Sequence, residues 1–336
     1  MNSDRRSFLR LGSLVVCASW LRPRALFALG VEKVPGVLSF DAAEMRLLDF
    51  AASYGTSVRV NGVSVLNRLH GSGRGLHLLV EVNDFVKLAG ALLDAPFKNF
   101  FADGNTLSMA SPGSASIIEN LSVEEFVARL AQLSQSENIA FAHDALMYDP
   151  ATKAFSDPFG AIDAGELKLI NRPTKTPAAL EVALRGMGEA HAAGMPEGET
   201  FARWKAQLLK ASVHASAAQP IAAAFMRGLP AFAALAGTEN VKSAVASPLV
   251  SSAVESALGL KNRTVIAEFD RVRAIFGESY SDGAVWLYVL LGQQLKKDTR
   301  GWIDANLLED ARWREAFENA NRIDQAFESP ELKSQR

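Results

Sequence analysis

Leu76-His77-Leu78-Leu79-Val80-Glu81-Val82-Asn83-Asp84-Phe85-Val86-Lys87-Leu88-Ala89-Gly90-Ala91-Leu92-Leu93 changes its hydrophobic period halfway along. The first half, Leu76 to Val82, is short, rich in Leu and Val and ends at Asn83-Asp84, which is the pattern of a strand. The second half places Phe85, Leu88, Leu92 and Leu93 on one helical face, with Asn83 positioned to cap it and Pro96 to stop it. Upstream, Thr56 to Val60 reads as another strand closed by Asn61-Gly62, preceded by helical spacing from Phe40 to Tyr54. Downstream, Asn99 to Ala102 and Thr106 to Ala110 flank Asp103-Gly104-Asn105 as a hairpin, and Pro112-Gly113-Ser114 turns the chain into Ser116 to Glu119. Ser122-Val123-Glu124-Glu125 is a capping box that opens a helix running to about Leu133. Residues 31–137 are therefore expected to form a small α+β domain.

From 138 to 176 the periodicity disappears among Pro, Asp, Gly and Thr, so an irregular linker or loop is expected there. From 177 to 336 the chain is Ala-rich and helical in pattern. Breakers at Gly194 to Gly198, Gln219-Pro220, Gly228 to Pro230, Gly237, Pro248, Gly259, Gly277 and Thr299 to Gly301 divide it into roughly seven helices, a multi-helix bundle or array. Ala284 to Leu291 is too short to span a bilayer and reads as a core helix, and the late aromatics Trp286, Tyr288, Trp302, Trp313, Phe317 and Phe327 could line a pocket between helices but at helical spacing read more often as core. The expected fold class is mainly α with a small N-terminal α+β domain and a C-terminal helical domain.

Composition narrows the function. The 336 residues are 49% hydrophobic and 21% charged, with a net charge of -2 and one cysteine, which excludes disordered, collagen-like and disulfide-scaffold chains. With no Lys/Arg surplus, no nucleic-acid partner is expected.

Residues 1–30 divide into a basic segment, an apolar run from Leu11 to Leu21 and a short exit segment, the layout of a signal peptide. Arg5-Arg6-Ser7-Phe8-Leu9-Arg10 resembles the twin-arginine consensus, and Arg22 and Arg24 beyond the apolar run strengthen the likeness. The resemblance implies folded export from a prokaryotic cytoplasm by the twin-arginine machinery, to the periplasm or beyond, with cleavage after Ala28 or Gly30 and no lasting membrane anchor. Cleavage removes five arginines and one aspartate from a chain of net charge -2, leaving -6 and no cysteine. Iron-sulfur clusters and covalent haem are then excluded. Phe40 to Leu48 is also similar to the opening of the small subunits of exported dehydrogenases, although Ala52-Ser53-Tyr54-Gly55 stands where that family has Leu-Ile-Pro.

Candidate chemistry is sparse. His143, Asp144, Asp149, Asp157 and Asp163 place oxygen and nitrogen ligands in one irregular stretch, and Asp144, Asp149 and Asp157 could hold a divalent cation with His143 as acid or base. Asp149-Pro150 and Asp157-Pro158 are equally ordinary turn formers, the commoner role. His70-Gly71-Ser72-Gly73-Arg74-Gly75 leads into a strand rather than a helix, unlike phosphate loops, so it reads as a surface connection with Arg74 available to an anion. No His-Glu-x-x-His and no Gly-x-Ser-x-Gly occurs. The chain is thus expected to be a non-catalytic ligand-binding, scaffold or accessory subunit of the cell envelope, possessing a periplasmic protein partner. The alternative is an exported metal-dependent enzyme with its site in 138–176.

Overall fold

The computed structural model describes residues 38–70, 75–95, 97, 100–103, 105–111, 114–292 and 311–335, so the twin-arginine residues Arg5, Arg6, Phe8 and Leu9, and Arg74, lie outside it. The elements run α1 (Ala42–Tyr54), β1 (Ser57–Asn61), α2 (Val63–Leu69), β2 (His77–Glu81), α3 (Phe85–Leu93), β3 (Phe100–Asp103), β4 (Thr106–Ser111), β5 (Ser114–Leu121), α4 (Val123–Leu133), β6 (Met147–Asp149) and β7 (Ala154–Ser156). Eight helices follow: α5 (Thr176–Ala193), α6 (Glu199–Leu209), α7 (Ala215–Ala236), α8 (Thr238–Ala246), α9 (Pro248–Leu258), α10 (Asn262–Phe276), α11 (Asp282–Leu291) and α12 (Ala311–Ala326). The protein is mainly helical with one small mixed sheet.

The sheet order is β3-β4-β5-β2-β1-β6-β7, antiparallel except for the central pair β2 and β5. Side chains alternate across it. Leu78 and Val80 pack with Leu47, Leu48 and Tyr54 of α1 on one face, while Leu79 meets Phe126 and Leu130 of α4 on the other. The capping box at Ser122 forms as the sequence indicates: its Oγ accepts from the Glu125 amide (3.3 Å) and the Glu125 carboxylate accepts from the Ser122 amide (2.8 Å). The cap of α3 is Asp84 rather than Asn83, with Asp84 Oδ1 accepting from the Val86 and Lys87 amides. The short helix α2, between the first two strands, has no counterpart in the sequence reading. Segment 138–176 supplies β6 and β7 to the sheet edge, in strands too short to show a period.

In the helical array the expected breaks at Pro220 and Pro230 are absent, because α7 runs through both. Pro230 cannot donate to the carbonyl of Met226, one turn back. That carbonyl is claimed instead by the indole N–H of Trp313 (3.1 Å), in the buried core. Around α7 pack Val250 and Val254 of α9, Phe269 of α10 and the wholly buried Trp286 of α11, whose ring stacks on Phe269 at 4.0 Å. Of the late aromatics Trp286, Tyr288, Trp313 and Phe327 are buried in the core and Phe317 packs half-buried against it, while Trp302 lies outside the described residues. No described helix is long and apolar enough to cross a membrane.

Candidate functional site

Between the sheet and the helices lies a cleft of about 740 Å³. One wall carries Asn61 of β1 and His77 of β2 with Ser64 of α2 and Arg129 of α4, the helices attached to the sheet, and the other carries Glu181, Arg185 and Glu189 of α5 and Arg227 of α7. His77 opens β2, and the parallel register sets Ile117 of β5 opposite it, so Glu119 is its diagonal neighbour. Nε2 of His77 lies 2.6 Å from Oε1 of Glu119, and Nη2 of Arg129 lies 3.7 Å from the same oxygen. Burial would raise the Glu119 carboxyl, but the hydrogen bond from His77 and the charges of His77 and Arg129 bring it below the usual carboxylate range.

Two polar atoms in this wall are unmatched. Asn61 Oδ1 and Arg129 Nε are buried without a hydrogen-bond partner, and Asn61 as a whole is 5% exposed. Buried polar atoms are nearly always bonded, so both retain hydrogen-bonding capacity that the described residues do not use. On the helical wall Arg227 of α7 donates through Nε to Glu181 of α5 (2.8 Å), and both side chains remain more than a third exposed.

Beside the cleft a clasp joins the two layers. Asp144 Oδ1 and Oδ2 accept from Nη1 and Nη2 of Arg185 (2.9 and 2.8 Å), and Oδ2 also accepts from the amides of Ala140 and Phe141. His143, 2% exposed, pairs its Nε2 with Glu189 (2.8 Å) and stacks on Phe141. Burial works against ionisation of Asp144, but Arg185, His143 and these hydrogen bonds hold its carboxyl below the ordinary value.

The sequence candidates are therefore not brought together as one metal site. Asp149 accepts from the amides of Ala151 and Thr152 and pairs with Arg59 (3.2 Å) in a separate groove, while Asp157 accepts from the amides of Ala161 and Ile162. Both act as turn residues. Among the described residues no group of three or more His, Cys, Asp or Glu is placed to share a metal ion. Of the expected residues, Asp144 lines the cleft and His143 stands behind it. Arg129, Arg185, Arg227, Glu119, Glu189 and Asn61 were missed. The signal that could have found two of them is an isolated charge inside an apolar helical run, as with Arg185 between Leu184 and Gly186 and Arg227 between Met226 and Gly228.

No family model and no curated protein matches the chain. Among solved structures, a CCA-adding enzyme with ATP is 16% identical with a TM-score of 0.48, over 86% of this chain and 70% of that one. A tRNA-processing enzyme in its apo form is 15% identical with a TM-score of 0.43, over 88% of this chain and 80% of that one. The Thermotoga maritima CCA-adding enzyme complexed with tRNA is also 15% identical with a TM-score of 0.43, over 86% and 73%. These neighbours, named as enzymes of tRNA, run against four expectations: a non-catalytic accessory subunit, the export of an enzyme, a periplasmic or extracellular location, and the absence of a nucleic-acid partner. The last rested on net charge, which sums over the whole surface and is blind to arginines gathered at one cleft.

Proposed function

We propose that the cleft binds a nucleotide or the end of a single RNA strand, and that the protein acts on it there. The observation that carries this reading is that Arg129 of α4 and Arg227 of α7 line the same cleft as Asn61, whose buried amide oxygen has no hydrogen-bond partner among the described residues. Guanidinium groups match phosphate oxygens in geometry and stack on bases. A buried amide oxygen accepts from the exocyclic amine that adenine and cytosine carry. The cavity volume falls in the range of small-molecule sites, about 300–1,000 Å³. The second groove, lined by Phe40, Met45, Arg59, Asp149 and Lys153, is larger, but its arginine is buried against Asp149, whereas the Arg129 and Arg227 side chains are about a third exposed.

The test is fluorescence anisotropy with labelled ATP, labelled CTP and a short single-stranded RNA at low salt. A charge-assisted hydrogen bond contributes about 1.5–3 kcal/mol, so Arg129→Ala and Arg227→Ala should each weaken binding by roughly tenfold or more. Both should flatten the salt dependence of RNA binding. Absence of binding to all three probes, or equal affinity in the double variant, overturns the reading.

A further inference from the structure

Among the described residues nothing covers one apolar face of helix α3. Phe85, Val86 and Leu93 are 48%, 82% and 88% exposed, whereas Leu88 on the opposite side is buried. Between the large residues sit exposed Ala89 and Gly90, and a Cβ built on Gly90 meets nothing within 4 Å. Residues 85, 89 and 93 form one row of the helix surface and residues 86 and 90 the next, so the face reads large, small, large. A contiguous exposed apolar stripe on a folded domain marks an interaction surface.

The geometry points to a second copy of this chain as the occupant, docked with its own α3 antiparallel about a two-fold axis between Ala89 and Gly90. That axis sets Val86 against Leu93 of the partner subunit and Gly90 against Ala89 of the partner subunit. Bulk then meets bulk at both ends and the helix backbones approach at the small pair. Every contact is made twice, as a closed two-fold interface requires. The charges agree. Lys87 and Asp94 are both exposed and share one flank of the stripe, and the two-fold operation brings Lys87 toward Asp94 of the partner subunit. Asp84 and Asp94 at the two ends of the helix disfavour an anionic lipid surface, which selects basic rims.

Sedimentation velocity of the full chain across a concentration series tests this. A reversible dimer is expected, with Leu93→Glu and Val86→Glu each raising its dissociation constant at least tenfold. These positions are so exposed that the circular dichroism spectrum should not change. Lys87→Glu should weaken the dimer, and adding Asp94→Lys should restore it. A monomer at every concentration, a dimer indifferent to Leu93→Glu, failure of the charge swap to restore association, or binding to phosphatidylglycerol vesicles that Leu93→Glu abolishes would each overturn the inference. None of these outcomes bears on nucleotide binding in the cleft.

Discussion

Replacement of Asp144 by Asn tests whether the clasp beside the cleft holds the sheet to the helices. The carboxylate accepts two bonds from Arg185, at 2.9 and 2.8 Å, and two from the backbone amides of Ala140 and Phe141, at 3.0 and 2.9 Å. Asn keeps one oxygen for the amides but turns an NH2 group toward the guanidinium and removes the charge. A hydrogen bond to a charged group contributes about 1.5–3 kcal/mol, but the Arg185 side chain is 42% exposed and water recovers part of that. The expected loss is therefore about 2 kcal/mol, rising to about 3–4 kcal/mol for Asp144→Ala, which also orphans the two amides. The pH dependence has a definite sign. The folded carboxyl is held below its unfolded value, so the stabilisation is complete above the unfolded range, near pH 4, and disappears as pH falls through the folded value. Urea denaturation followed by circular dichroism at pH 7, 5, 4 and 3 should show parent and Asn variant separated at pH 7 and converging toward pH 3. A separation below about 0.5 kcal/mol at pH 7, or one that does not shrink with acid, refutes the reasoning.

Trp313→Phe removes the donor that satisfies the carbonyl freed by Pro230, and a buried orphan acceptor costs about 1–3 kcal/mol; thermal denaturation should show the loss, and Pro230→Ala should lessen it by returning a backbone donor. Gly186→Ala would set a Cβ 2.5 Å from Cζ of Phe141 and 2.7 Å from Cζ of Phe201, both rings fully buried. Overpacking of about 1–3 kcal/mol should exceed the roughly 1 kcal/mol that Ala gains over Gly in a helix, lowering the urea midpoint. Asp149→Asn should cost more than Asp157→Asn, because it leaves the buried Arg59 facing a neutral partner, whereas Asp157 serves only backbone amides. Equal midpoints for these two variants would contradict that assignment.

What the sequence conveyed about this fold followed the range over which each signal acts. Caps and breakers that act within one turn, such as Ser122 with Glu125 and the positive-φ Gly194 and Gly259, could be read directly. Pro230 misled because the compensating donor, Trp313, is distant in the chain and no local rule contains it. β6 and β7 escaped because three residues show no period, and their pairing depends on β1 already being in place. The cleft was the least legible feature for the same reason, carried furthest. His77 and Glu119 meet only because β2 and β5 are parallel neighbours, joined through α3, β3 and β4, and Arg129 and Arg227 come to line one cleft only once the later helices pack beside the sheet. A motif is a site whose spacing survives in one dimension. A site gathered from three strands and four helices leaves only its isolated charges, Arg185 and Arg227 in their apolar helical runs, and those require a partner before they convey anything about chemistry.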